Sequence, residues 1–337
     1  MNEFALIESY FKTLSERTAG ARCDLGIGDD AALVTVPLGK QLAVTADTLV
    51  SGVHFPVDTL PFDIGYKALA VNLSDLAAMG ARPAWFTLCL TLPQFSDPWL
   101  QGFCAGLETL MREIPVTLIG GDTTRGPLSI TIQAMGLVDS GCALRRDGAK
   151  PGDDIFVSGC VGDAGVGLRL VMQNSAADQL ALNATLHTAL NTAQLRLNRP
   201  LPRNALGAAL GAVASSCIDI SDGLLADLGH ILTASHAGAD VDVNTVPISP
   251  ALLDPAIVAQ LGLPDSTPQG ARRFALSAGD DYELCFTAAP DQREQVMALA
   301  QQAGISVTRV GTVTAQPGIF DLANGGVMLT PAGYSHF

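Results

Sequence analysis

Five stretches of this 337-residue chain share one pattern, a short apolar run that meets a glycine or small residue and then one or two aspartates. They are Gly28-Asp29-Asp30, Thr45-Ala46-Asp47, Gly120-Gly121-Asp122, Asp219-Ile220-Ser221-Asp222 and Gly279-Asp280-Asp281. A sixth acid, Asp75, lies inside a helical pattern three residues after Asn72, on a face otherwise made of Ala and Leu. Taken singly, Gly-Asp is ordinary turn chemistry, and Ser221-Asp222-Gly223 is a good helix cap. Asp75 resists that explanation, because a carboxylate on a small-residue helix face expects burial and burial needs a partner. Repeated acidic strand ends are what a ligand site at one edge of an α/β sheet would show.

If these acids converge, electrostatics dictates what else must be there. Two carboxylates about 5 Å apart repel by roughly 3 kcal/mol at an effective dielectric near 20. Six in one cleft would repel by an amount on the order of tens of kcal/mol, more than a domain's net stability. Few arginines lie nearby in sequence, and the chain has only four lysines, Lys12, Lys40, Lys67 and Lys150. Metal ions are the economical answer, and an all-oxygen donor set selects Mg²⁺, Ca²⁺ or Mn²⁺. Mg²⁺ commonly bridges protein carboxylates to nucleotide phosphates. Neither a GxxxxGK[ST] loop nor the HRD and DFG pair of protein kinases is present. The glycines of Cys160–Gly167 do not fit GxGxxG and read as a turn entering a helix. Phosphate would then be met by metals, main-chain N–H groups and a few arginines, with Gly121–Arg125 and Arg146 as candidates. No Ser–His–Asp or Cys–His set stands out. His54 follows Asp47 by seven residues and is the one histidine close to an acidic strand end.

The elements that must position these residues follow from pattern and composition. The chain is 48% hydrophobic with 34 glycines, which suits an α/β protein of two domains. An amphipathic helix opens the chain without the basic region of a signal peptide. The segment 26–37 reads as a turn entering a strand, followed by strands at 41–50, 85–92, 116–121 and 128–138 and helices at 62–79 and 97–113. A basic, glycine-bearing stretch at 144–153 marks the boundary, giving domains 1–143 and 144–337. In the second, a strand at 154–159 leads into a helix, and 174–203 reads as surface helices and loops. Residues 216–235 form strand, turn and helix, and 239–248 a strand. Two short strands flank the acidic turn of 274–290, then come a helix at 291–304 and a strand at 305–311.

The formal charge of −14 disfavours nucleic acid and anionic membranes as partners. No apolar run is long enough to span a bilayer. Seven cysteines without a CxxC pair point to buried thiols in a reducing compartment, and the expected location is the cytoplasm. Aspartates outnumber glutamates 26 to 7, a skew that turn formation and metal ligation would both produce. Apolar residues on both faces of 128–138 leave a surface that expects a second copy of the chain.

The strings GDDAA, TADTLVSGVHF, KALAVNLSDLAAMGARP, GGDTTRGP, RDGAKPGD, CIDISDGLLADLGHI and AGDDYELCFT occur in this order. Together they resemble the bacterial thiamine-monophosphate kinases, of the superfamily that includes aminoimidazole ribonucleotide synthetase and selenophosphate synthetase. The resemblance covers about residues 1–337. It implies two α/β domains, an N-terminal sheet that pairs across a homodimer, a C-terminal mixed-sheet domain and an ATP cleft between the two. It implies that Asp30, Thr45, Ala46 (through its backbone), Asp47, Asp75, Asp122, Asp219 and Asp222 bind several Mg²⁺ ions. Gly121, Asp122, Arg146 and Ser221 would hold ATP, and His54, Asp280 and Pro331 would contact thiamine monophosphate. Relatives usually carry Glu where this chain has Asp280, and can place an aromatic where it has Pro331. The implied reaction is direct in-line, Mg²⁺-dependent phosphoryl transfer giving thiamine diphosphate, with no covalent intermediate. A ring-closing, ATP-dependent synthetase of the same superfamily and a non-catalytic metal- or nucleotide-binding protein are the alternatives.

Overall fold

The structure, a computed structural model, describes residues 3–18, 20–172, 184–260, 262, 267–330 and 333. It divides into two compact units, Met1–Ala143 and Leu144–Phe337.

The first unit opens with α1 (Glu3–Leu6), a π-helical stretch (Ile7–Lys12) and α2 (Thr13–Arg17). The wider π turn brings residues five apart onto one side, so Leu6 and Phe11 are buried together with Leu14. There follow β1 (Lys40–Val50), α3 (Pro61–Ala78), β2 (Arg82–Leu92), α4 (Asp97–Glu113), β3 (Thr117–Arg125) and β4 (Ser129–Asp139). The strands form a mixed sheet in the order β1-β4-β2-β3, antiparallel except for the β2–β3 pair. Pro61 starts α3, where its missing N–H costs nothing, and Gly80 in the left-handed region ends it. α3 is buried almost all round, including Lys67, Asn72 and Ser74. Its contact with α4 is close because both helices present glycine. A Cβ on Gly65 would sit 2.1 Å from the Phe103 carbonyl oxygen, and one on Gly106 2.0 Å from that of Phe62. The segment before β1 departs from expectation: Leu25 and Leu33 pair with each other, so 26–37 closes on itself and supplies only isolated bridges.

The second unit contains β5 (Asp154–Ser158), α5 (Asp163–Met172), α6 (Ala184–Asn198), α7 (Asn204–Leu210), β6 (Ala214–Asp219), α8 (Leu224–Ala234) and β7 (Gly238–Val241). It continues with α9 (Pro255–Gln260), α10 (Pro268–Ser277), β8 (Leu284–Ala288), α11 (Arg293–Gln302), β9 (Val307–Thr314), β10 (Gly318–Asp321) and β11 (Val327–Leu329). One seven-stranded mixed sheet runs β11-β10-β7-β9-β5-β8-β6. Its core gathers Ile155, Val157, Ile218, Leu228, Ile231 and Cys285.

Several expectations need correction here. The first arm of 274–290 is the end of α10, not a strand: Thr267 accepts the Gly270 N–H as its cap, and Ala271, Ala275 and Leu276 are buried at helical spacing. The strand expected over 239–248 stops at Val241, because the Asp242 side chain accepts the Asn244 N–H and turns the chain into a 3₁₀ turn. Within 174–203, residues 174–183 lie outside the described residues, and α6 is not a surface helix: Leu190, Ala193 and Leu197 are buried. Of the seven thiols only Cys217 and Cys285 are buried, while Cys89 and Cys142 are exposed. Strands β10 and β11, four and three residues long, are too short to leave a periodic signal. Among the described residues no helix is long and apolar enough to cross a membrane.

Candidate functional site

In the first unit, β1 and α3 bring Thr45, Asp47 and Asp75 together. The alternation of β1 turns Thr45 and Asp47 to the side of the sheet that also carries buried Ile132 and Ala134 of β4. The Thr45 hydroxyl donates to Asp75 Oδ2 at 2.5 Å. Asn72, fully buried one helical turn before Asp75, donates through Nδ2 to the Ala68 carbonyl at 3.0 Å. Its Oδ1 therefore faces the Asp47 N–H and accepts from it at 3.1 Å. Burial, and then the negative charge of Asp75, push the Asp47 carboxyl up to about 6. A hard cation would relieve that penalty, and the donors offered are all oxygen. Among the described residues no group of three or more His, Cys, Asp or Glu side chains could by itself hold a metal ion. A cation here would draw two carboxylates from the protein and complete its shell with hydroxyl, water or phosphate oxygen, which suits Mg²⁺ better than an all-protein cage.

The other predicted ligands of this unit stand apart from that pair. Asp30 lies in an exposed loop, where its N–H donates to the Asp29 carboxylate at 2.8 Å. Ala46 faces Gln133 across the β1–β4 ladder. Asp122 pairs with Cys89, whereas Gly121 pairs with Leu88, which lies in the same row as Asp47. Asp122 is thus one register off and leaves the opposite face of the sheet from Asp47. Gly121 is required as glycine: its φ is 151° and a Cβ would stand 1.8 Å from the Leu88 carbonyl oxygen. His54 is half-buried in the loop after β1 and accepts the Val50 N–H through Nδ1 at 3.0 Å, which fixes the neutral ring's proton on Nε2.

In the second unit two acidic strings zip together. Ile220 N donates to the Glu283 carbonyl, Tyr282 N to that of Ile220 and Asp280 N to that of Ser221, each at 2.8 Å. Asp219 is buried at the end of β6, and Ser221 and Asp222 follow, half-buried. Asp280 and Tyr282 take left-handed backbone angles, φ 67° and 51°, that cost non-glycine residues energy. What holds them there is a pair of buried acids: Asp281, which belongs to the Gly279-Asp280-Asp281 stretch but had no role assigned from the sequence, and Glu283, which sequence reasoning did not single out. Asp281 accepts from Gly162 N at 2.8 Å, at the entry to α5, and burial pushes its carboxyl well above the usual range. Glu283 is fully buried and accepts from Ser158 Oγ at 2.6 Å, Arg196 Nη2 at 2.6 Å and both Nε and Nη2 of Arg203. Asp227, also not singled out, accepts from the N–H groups of Ser221, Asp222 and Gly223. The signal was present, since Asp227 is a carboxylate in a Leu-rich helix, the same anomaly that exposed Asp75. Arg146 sits in a 3₁₀ turn whose ends are fastened by Ser235, which donates to the Arg146 carbonyl and accepts from Ala149 N. Pro331 lies outside the described residues.

An acidic, cation-seeking pair in one α/β unit and a cross-linked acidic loop pair in the other offer the oxygen-rich donor sets on which enzymes of phosphoryl transfer are built. Comparison with known proteins narrows the class. Residues 28–138 match AIR synthase related protein, N-terminal domain, and residues 150–321 match AIR synthase related protein, C-terminal domain. The thiamine-monophosphate kinase of Salmonella typhimurium is 45% identical over 339 residues, covering 99% of this chain and 98% of that protein. The crystal structure of thiamine-monophosphate kinase from Stenotrophomonas maltophilia K279a superposes with a TM-score of 0.82 at 49% identity, covering 95% of this chain and 96% of that one. A structure described as AaThiL complexed with AMPPCP and TMP gives 0.75 at 27% identity, covering 99% and 97%. The chain belongs to the thiamine-monophosphate kinase family of AIR synthase related proteins.

Proposed function

We propose that the chain transfers the terminal phosphoryl group of ATP to the phosphate of thiamine monophosphate, giving ADP and thiamine diphosphate, in the cytoplasm. The observation that carries the reading is the Asp47–Asp75 pair, held at mutual electrostatic cost, in a chain 45% identical over its full length to a thiamine-monophosphate kinase. Asp30, Thr45, Ala46 (through its carbonyl), Asp47, Asp75, Asp122, Asp219 and Asp222 are assigned to Mg²⁺, several ions in all. When bound, Mg²⁺ supplies charge neutralisation of the phosphate oxygens during transfer. Gly121, Asp122, Arg146 and Ser221 are assigned to ATP, and His54, Asp280 and Pro331 to the acceptor. Asn72 and Thr45 orient the two carboxylates, so that their positions do not have to be organised during the reaction. His54, with its proton on Nε2, is suited to donate to an acceptor phosphate oxygen. Asp280 offers a negative charge to the cationic thiazolium ring. The attacking group is an already ionised phosphate oxygen, so the protein need supply no general base.

The first unit is assigned to metal, ATP and dimerisation, and the second is assigned residues that complete the ATP and substrate sites. The dimer reading rests on the open face of the first sheet. Leu42 and Val44 of edge strand β1 are exposed and pair with Leu137 and Met135 of β4, making an apolar strip that a second copy would cover. The test is product analysis with ATP, Mg²⁺ and either thiamine monophosphate or thiamine. Formation of thiamine diphosphate from the first alone is expected; phosphorylation of free thiamine, or none of the monophosphate, would reject the substrate assignment.

A further inference from the structure

The stretch Ile220–Leu225 looks like a phosphate loop: glycine at the start of a helix, where free main-chain N–H groups ordinarily cradle an anion. Its amides are already taken. Asp227, in the first turn of α8 and 2% exposed, accepts with one oxygen from Ser221 N at 3.0 Å, Asp222 N at 3.1 Å and Gly223 N at 3.1 Å. The carbonyl side of the loop is engaged as well, since Ser221 O accepts from Asp280 N and Ile220 O from Tyr282 N. Gly223, at φ 121°, lets the chain make this reversal against Ser277, whose backbone a Cβ would meet at 2.9–3.1 Å.

We propose that Asp227 is a positioning residue that fills the anion hole of this loop from within, so that the loop meets the nucleotide through the side chains of Ser221 and Asp222 and not through its amides. The consequence is selectivity: a loop that would otherwise bind bare phosphate is converted into one that presents a carboxylate and therefore favours phosphate carrying a divalent cation. This deepens the assignment of Ser221 to ATP and Asp222 to metal and rests on it.

Two measurements test it. Amide hydrogen exchange on the ligand-free enzyme should show 221–223 protected, with no further slowing when a non-hydrolysable ATP analogue and Mg²⁺ are added. Open-loop exchange rates in the free enzyme, with protection gained only on nucleotide binding, would mean that the amides bind phosphate and would overturn the proposal. This readout does not depend on turnover, so it fails separately from the assigned reaction, which fails only if the wild type makes no thiamine diphosphate. In variants, Asp227→Asn keeps an acceptor oxygen and should hold the Mg²⁺ concentration for half-maximal activity within about threefold of wild type. Asp227→Ala should raise it at least about tenfold while the KM for thiamine monophosphate moves less. A folded Asp227→Ala enzyme with wild-type Mg²⁺ dependence, or an Asn variant as impaired as Ala, rejects the positioning role. Should the Ala variant not fold, hydrogen exchange decides.

Discussion

Replacing Asp47 by Asn should stabilise the metal-free protein while destroying its activity, an opposition that a merely structural aspartate would not produce. The Asp47 carboxyl stands at about 6 instead of 3.8, through burial first and the Asp75 charge second. A raised carboxyl holds its proton more tightly in the folded state. The stability that proton contributes is present below about pH 4 and is lost as the pH rises through about 6. Roughly two pH units at about 1.4 kcal/mol each set a ceiling near 3 kcal/mol, and partial exposure screens this to about 1–2 kcal/mol at neutral pH. The Asp47→Asn substitution removes the charge and keeps the shape, so the metal-free variant should melt a few degrees higher than wild type at pH 7.5. The gap should narrow at pH 5. Adding Mg²⁺ should raise the melting temperature of the wild type more than that of the variant, and turnover of the variant should fall at least about a hundredfold. Differential scanning fluorimetry across pH, with and without Mg²⁺, reads the stability changes, and a steady-state assay reads the turnover. A variant that melts lower than wild type without metal, or gains equally from Mg²⁺, refutes the reasoning.

Light scattering at micromolar concentration should report a homodimer, and Val44→Lys, which places a charge on the exposed strip of β1, should shift it toward monomer. Glu283→Gln leaves Arg196 and Arg203 facing a neutral, buried amide; a loss of about 3–5 kcal/mol in denaturant unfolding is expected, and an unchanged midpoint would contradict the anchoring role. With chiral γ-phosphate ATP the product should show inversion at phosphorus, with no ADP–ATP exchange in the absence of acceptor; net retention would reject direct transfer.

Much of the scaffold was legible from local chemistry. α3 was legible as a helical run that Gly80 stops, β1 by its small and β-branched residues, and β4 by its partial alternation, whereas the Pro61 start of α3 was not read from the sequence. Asp75 was legible as an anomaly, a charge on an apolar helix face. Other features were hidden because they depend on contacts distant in sequence. Glu283 meets Arg203 across 80 residues and Ser158 across 125, which no local pattern encodes. The opposite facing of Asp47 and Asp122 depends on ladder register, and the irregular step between Phe86 and Thr87 in the β2–β3 pairing shifts that register by a residue. The helical end of α10 lost to a strand reading because Phe274, Ala275 and Leu276 form a short apolar run that suits either state until the Thr267 cap is seen.

The acids divide into those that hold and those that are held. Asp29 accepts from the Asp30 N–H, Asp227 from that of Asp222, and Asp281 anchors the loop that carries Asp280. Short carboxylates accept amides of their own loops more readily than Glu would, which accounts for part of the aspartate excess. At Asp47 the rule changes, and the acceptor of its N–H is the neutral Asn72. The reason is electrostatic. A third carboxylate beside Asp47 and Asp75 would add about 3 kcal/mol of repulsion per neighbour at roughly 5 Å and a dielectric near 20. It would also set an oxygen against the Ala68 carbonyl, where Asn72 now donates. Asn72→Asp should therefore destabilise the metal-free protein more than Asn72→Ala, which merely leaves the Asp47 N–H without its acceptor at a cost of about 1–3 kcal/mol. The excess should shrink as the pH falls toward 5, because protonation removes the repulsion, and should shrink again with Mg²⁺. An Asp variant no less stable than the Ala variant at pH 7.5 would show that charge economy does not explain the amide at this position.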